Sequence, residues 1–227
     1  MTGGTAGDGL VITVLGGLPV FLIATIVSGQ LFAWNQIEGI GYGALAAAGI
    51  MHFLGGRYCT FRAYAAIGAN RSSSVLQATA LVSVLFALLF LDEQLTPSKM
   101  VGVGLVLIGP ALAASAPGAS SLPADANTHT PAHGRLAQGY AFAALSTLFF
   151  GTSPILIRFA LEETTSLGVL GGLVAYAAAG LVLTPLAMKN GQFASVRMLD
   201  RKTKLWFLGG SFTIFLGHTF RFLALSV

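Results

Sequence analysis

Apolar residues along this chain come in long unbroken runs, and charge is confined to the gaps between them. Residues 9–33, 72–91, 100–117, 136–157 and 164–188 contain no Asp, Glu, Lys or Arg. Each run approaches or exceeds the roughly 20 apolar residues with which a helix crosses a hydrocarbon layer about 30 Å thick. Backbone groups in lipid must be satisfied within the segment, so runs of this kind predict helices. The pattern places spans at 9–33, 42–68, 72–91, 99–117, 136–159, 166–188 and 205–227. The expected fold is therefore an all-α polytopic membrane protein with about seven transmembrane helices.

Residues 118–135, GASSLPADANTHTPAHGR, break the pattern with Pro, Ala, Ser and Thr and suit a solvated linker. They divide the chain into a first bundle, 9–117, and a second, 136–227. Composition supports this reading: of 227 residues 55% are hydrophobic and 9% charged, against about 25% charged in an ordinary soluble domain. The net charge of +4 does not point to nucleic acid, because the basic residues flank apolar runs as topology signals do and form no aromatic-interleaved surface. Cys59 stands alone inside an apolar stretch, which leaves neither a disulfide framework nor a cysteine metal site. His129 and His133 are four apart, but Pro131 between them disfavours the helix that would pair them on a metal. No cofactor and no metal is expected. The segment Met1 to Gly9 has no basic residue ahead of the apolar run, unlike a cleaved signal peptide.

Small residues recur at four-residue spacing within the spans, as at Ala44 and Ala48, Gly168 and Gly172, and Ala175 and Ala179; Gly102 and Gly109 share a face seven residues apart. Helices in lipid associate by close backbone approach, so these faces are expected at helix interfaces. An internal repeat is also visible. Val14-Leu15-Gly16-Gly17-Leu18 recurs as Val169-Leu170-Gly171-Gly172-Leu173, and downstream Phe53-Leu54-Gly55-Gly56-Arg57 faces Phe215-Leu216-Gly217-His218 with one residue's slack. Duplication with inverted topology is a common plan of transporters.

The stretch from Arg71-Ser72-Ser73 to Leu91-Asp92-Glu93-Gln94-Leu95-Thr96-Pro97, followed by Gly102-Val103-Gly104-Leu105-Val106-Leu107-Ile108-Gly109, resembles the drug/metabolite transporter superfamily, in its EamA-like branch. That family shows an A-S-R turn, a helix ending in F-L-G-E-R-L-T and a helix with G-x-x-L-I-x-x-G. Here Ala69-Asn70-Arg71 stands at the turn, and Asp92 and Gln94 replace the usual Gly and Arg. Phe150-Gly151-Thr152-Ser153-Pro154 with Arg158 is similar to the W-G-S/T opening of a family repeat. The resemblance implies ten helices in two inverted halves, of which this chain would lack the first helix of half one and the last helices of half two.

Three arginines fall inside expected spans, Arg57 and Arg62 in the second and Arg221 in the seventh. A central Arg costs about 2.5 to 3.5 kcal/mol on insertion scales, so such residues tend to face a cavity or a partner; Arg62 and Arg221 could instead snorkel to headgroups from near helix ends. His218 and Arg221, three apart, share a helical face, and the repeat sets His218 opposite Arg57. Phe61 and Tyr64 follow Arg57 at four and seven residues on its face and are candidates for a pocket wall. Pro19, Pro110, Pro154 and Pro185 are expected to interrupt spans, and broken helices border transport sites, which adds Pro19 and Pro154 to the candidates. The acids Glu38, Asp92, Glu93, Glu162, Glu163 and Asp200 fall in loops or at ends, so the expected cavity is basic and aromatic with no buried acid, fit for neutral, zwitterionic or anionic metabolites.

Arg71, Arg135, Lys189, Arg197, Arg201, Lys202 and Lys204 lie on the side of the N-terminus, with Lys99 and Arg158 opposite. That bias places the N-terminus and the 189–204 loop in the cytoplasm, whereas the family's usual plan would put that loop outside. The expectation is a secondary-active or facilitative carrier, an exporter, of small organic solutes in the cell membrane. It works by alternating access, with the solute and the bilayer as partners and a homodimer left open. A non-transporting or defunct membrane subunit is the rival, and a membrane-embedded enzyme would need a polar catalytic constellation that the residues do not supply.

Overall fold

The computed structural model describes residues 5–90, 96–98, 100–105, 108, 133–162, 164 and 167–225. Its helices are α1 (Ala6–Val27), α2 (Gly39–Gly49), α3 (Arg57–Ile67), α4 (Ala69–Leu76), α5 (Thr79–Phe90), α6 (His133–Leu161), α7 (Gly168–Lys189), α8 (Gln192–Met198) and α9 (Arg201–Leu225). A 3₁₀ segment, Gln30–Gln36, precedes α2, and a π-helical segment, Ile50–Gly56, joins α2 to α3. No strand occurs among the described residues, and five helices are long and apolar enough to cross a membrane: Ala6–Val27, Gly39–Ile67, Ala69–Phe90, Gly134–Leu161 and Gly168–Lys189. The chain is an all-α polytopic membrane protein.

Several boundaries move for local reasons. The first span begins at Ala6 because Thr5 and Asp8 form a reciprocal capping box, and it ends at Val27, short of residue 33, because Gly29 adopts a left-handed φ of 72° that only glycine takes without strain. Ser28 back-bonds to the Thr25 carbonyl at 3.2 Å in that turn. The third span is two helices: at Gln77–Ala78 the ladder tightens, Ala78 N bonding Val75 O and Ala80 N bonding Gln77 O. The helix expected from 205 starts at Arg201, where Asp200 accepts from Thr203 N at 3.1 Å. It is not among the five candidate spans found among the described residues. Residues 189–204, expected as loop, contain α8. The last three linker residues, 133–135, are helical, and 118–132 lie outside the described residues. Most of the 99–117 span, the Leu91–Leu95 motif, Gly109, His129 and the side chains of His133 and Arg221 also lie outside them.

The chain forms two compact units. The first takes in the described residues up to Tyr58 and from Ser153 onward. Here α1 and α7 lie antiparallel: a side chain on Gly7, at the start of α1, would strike Gln192, just past the end of α7. At the other end Gln30 Oε1 accepts from Leu170 N in the first turn of α7 at 2.9 Å. Midway, Gly17 lies under the Tyr176 ring and Gly172 under the Phe21 ring. Phe21 and Tyr176 each stand four residues after the closing glycine of one apolar quintet, so the contact is reciprocal, and the two rings stack with centroids 4.8 Å apart. Helix α2 comes against α7 backbone to backbone, with Gly49 on Ala175, and runs antiparallel to the end of α6, where Gly41 meets Ala160. Gly16 and Gly17 also receive Phe215 of α9. Glycine serves here by letting helix axes close on one another. Ala48, Ala175, Ala179, Gly168 and Gly172 are all buried at these interfaces.

The second unit, Cys59–Thr152, is held by the same means. Gly139 lies against Ile67 and Gly151 against Val82. Hydroxyls bind helix to helix: Thr60 with Ser146 at 2.7 Å, Ser83 donating to Gly151 O at 3.0 Å, and Thr147 donating to Val75 O at 3.2 Å. Gly102, expected in a close interface, has nothing within 4 Å among the described residues.

Candidate functional site

The feature that builds the site is the π-helical segment. Residues Ile50–Gly56 follow α2 without a break and hand over directly to α3 at Arg57. A widened turn rotates everything after it relative to an ideal α-helix, and such turns recur at functional positions because they re-aim side chains. Here it turns His52, Phe53 and Arg57 inward, where all three are buried.

Arg57 is 6% exposed. Its Nη2 donates to His218 Nε2 of α9 at 2.8 Å. Arginine only donates, so His218 accepts at Nε2, and the neutral ring carries its proton on Nδ1. The guanidinium carbon lies 5.3 Å from the centre of the Phe53 ring, a cation–π contact. His52 Nδ1 and Ser153 Oγ of α6 are 2.8 Å apart, and the His52 and His218 rings meet edge to face with centroids 4.9 Å apart. Tyr176 of α7, fully buried, packs on Phe53 with centroids 3.9 Å apart. Its hydroxyl faces the Arg57 guanidinium, close enough to interact with it but outside ordinary hydrogen-bond geometry. A narrow cleft beside these groups is lined by Ala48, Gly49, His52, Phe53, Ile157, Ala175 and His218, and it has no room for a water molecule.

Of the residues singled out from sequence, Arg57 and His218 come together here. Phe61, Arg62 and Tyr64 belong to the second unit: Arg62 is exposed with its guanidinium over the Phe142 ring at 5.3 Å, Tyr64 is exposed and Phe61 half-buried. The side chain of Arg221 lies outside the described ones. The expected proline breaks do not occur: α1 continues through Pro19, α6 through Pro154 and α7 through Pro185, while Pro110 lies outside the described residues. A proline costs a helix one N–H and crowds one carbonyl, which these long apolar helices absorb without ending. Pro19 is exposed, and Pro154, next to Ser153 in the chain, is half-buried.

Sequence reasoning did not assign His52, Ser153 or Tyr176 to the site. Tyr176 carried a signal, since the repeat pairs it with Phe21 and so offers a hydroxyl where its counterpart has none. One acid was also missed. Asp8 lies inside α1 and is 1% exposed; its Oδ2 accepts from Thr5 N at 2.7 Å and from Thr5 Oγ1 at 2.8 Å, which makes it a cap of the first turn. The expectation of no buried acid is corrected to that extent, because Asp8 stands one residue ahead of the charge-free run that defined the span.

Residues 10–115 match the EamA-like transporter family, consistent with the drug/metabolite transporter superfamily. Members of that family are membrane transporters of small molecules and not enzymes. No curated protein and no solved structure matches the chain.

Proposed function

With the EamA-like match over residues 10–115 as premise, we propose that this chain is a secondary-active or facilitative carrier of small organic metabolites, neutral, zwitterionic or anionic. It works as an exporter by alternating access in the plasma or inner membrane. The observation that carries this reading is the buried polar cluster of His52, Arg57, Ser153, Tyr176 and His218, set among helices whose other surfaces are apolar. A buried arginine in lipid is costly and is retained where it meets a solute or a partner. Exposed Val27, Leu181 and Met188 give the outside of α1 and α7 the character of a lipid-facing surface.

Two related halves, 9–117 and 136–227, are the proposed architecture. The reciprocal glycine–aromatic contacts of the antiparallel α1 and α7 support it, because a two-fold axis in the membrane plane generates contacts of that kind. The N-terminus and residues 189–204 face the cytoplasm, and α8 packing beside the first turn of α1 supports their lying on one side. The partners are the solute and the bilayer. The test is uptake and efflux of a solute panel in proteoliposomes holding the purified full chain. Saturable flux of at least one neutral, zwitterionic or anionic solute is expected. Flux no greater than in empty liposomes for the whole panel would favour a non-transporting membrane subunit.

A further inference from the structure

We propose that His218 Nε2 is a proton-binding site, and that a proton bound there breaks the contact with Arg57 and opens the packed cluster. The proton is then the coupling ion of the carrier. Only that last step rests on the carrier reading.

The contact is conditional on protonation state. Arg57 Nη2 donates to His218 Nε2 at 2.8 Å. A guanidinium has donors only, so Nε2 serves as the acceptor only while it carries no proton. When a proton adds to the Nε2 lone pair, two N–H donors face each other and two positive charges stand at hydrogen-bond distance, which drives the side chains apart. The other imidazole differs. His52 Nδ1 and Ser153 Oγ are 2.8 Å apart, and a hydroxyl donates to a bare ring nitrogen or accepts from a protonated one, so that contact survives protonation. His218 is therefore the sensitive ring of the two.

No carboxylate among the described residues offsets a second charge beside Arg57. The titratable groups facing His218 are Arg57 at the start of α3, His52 of the π-helical segment and Tyr176 of α7. Along the cleft α2 and α6 present uncharged Ala48, Gly49 and Ile157. Helix α1, which receives Phe215, has Asp8 in its first turn as its one charged residue. Within α9, Arg201, Lys202 and Lys204 lie at the start, and the Arg221 side chain is outside the described ones. Access favours the ring over the guanidinium, because His218 is half-buried and Arg57 buried. A proton needs no cavity, so the packed cluster is the closed, unprotonated form.

The backbone supplies a way to open. Arg57 N donates to the carbonyls five and three residues back, His52 O and Leu54 O, at the junction of the π and α registers. A one-residue change of register there turns Arg57 by about 100° around the helix axis, away from His218. The closed form binds one proton fewer than the open one, so lowering the pH favours opening and raising it favours closure.

The test is amide hydrogen exchange of the purified full chain in phosphatidylcholine nanodiscs at about pH 8 and about pH 5, on either side of the range in which imidazoles titrate. Rates are corrected for intrinsic exchange and referred to residues 139–151 of the second unit. Residues 50–57 and 207–220 should exchange about tenfold faster at the lower pH. His218→Gln supplies an amide oxygen that accepts from Arg57 and gains no proton, and Arg57→Gln supplies one that accepts from the protonated ring. Each should abolish the response, so one decides the matter if the other does not fold, and His52→Gln should retain it. No response in the unsubstituted chain, a response that persists in either of the first two variants, or its loss in His52→Gln would overturn the inference. Solute flux indifferent to an imposed pH gradient would overturn the coupling step. A pH response in exchange without flux of any solute would instead sink only the carrier reading, and flux without a pH response in exchange would sink only this one.

Discussion

Among the described glycines of the first unit, Gly49 lies nearest to a neighbouring backbone, and replacing it with alanine gives a sharp test of how this unit is held. A Cβ at Gly49 would stand 2.6 Å from both the carbonyl carbon and the Cα of Ala175. Carbon atoms settle at about 3.5 to 4.0 Å, so α2 and α7 would have to separate by about 1 Å. The obstacle is main chain, which cannot swing aside as a side chain can. Overpacking of this kind costs about 1 to 3 kcal/mol, which at this chain length corresponds to roughly 2 to 12 °C in the melting midpoint. Gly43, on the same helix, has nothing within 4 Å of the added carbon, so Gly43→Ala is the control and should be neutral or mildly stabilising. The assay follows from the composition: the chain has one cysteine, Cys59, and it is buried. A fluorogenic maleimide added during a temperature ramp in detergent therefore reports unfolding through a single thiol. A Gly49→Ala midpoint equal to that of Gly43→Ala would refute close backbone packing of α2 on α7.

Two further outcomes follow from the first unit. Gln30→Ala removes the acceptor for Leu170 N at the start of α7, where no neighbouring side chain caps the helix; the same ramp should show a loss of about 0.5 to 2 kcal/mol, and no change would mean that the long-range cap contributes nothing. Met198→Cys in a Cys59→Ala background exposes one thiol at the end of α8, where Met198 is 81% exposed. In intact cells it should resist a membrane-impermeant maleimide and react only after permeabilisation, whereas labelling in intact cells would place residues 189–204 outside.

What the residues disclose and what they hide have physical causes. Charge-free runs are long because lipid tolerates few exceptions, so four of the five candidate spans could be located from Asp, Glu, Lys and Arg alone, whereas Gly39–Ile67 carries Arg57 and Arg62. The glycine and alanine pairs were legible because close approach demands small residues whichever helix is the partner, as at Gly172 and Ala175. Arg57 and His218 were legible as costly residues placed at matching points of a repeat. The π-helical segment was not, since a change from one hydrogen-bond register to another leaves no periodic trace in IMHFLGG, where nearly every residue is apolar or small. Phe61 and Tyr64 were placed beside Arg57 by ideal helical spacing, yet they fall in the other compact unit. Prolines misled for the opposite reason: in a soluble helix the lost bond ends the run, whereas a long apolar helix in lipid has no better conformation to adopt. Gln30 capping Leu170 and Ser153 meeting His52 join residues far apart in the chain, and their types give no hint of the partner.

Arg57 is proposed to handle solute in a membrane carrier. The decisive measurement compares solute flux by the unsubstituted chain and by Arg57→Ala in proteoliposomes matched for inserted protein, with the thiol ramp confirming that both are folded. Flux that is saturable in the unsubstituted chain and abolished in Arg57→Ala is the predicted result. Equal flux in the two would contradict it and remove Arg57 from the site.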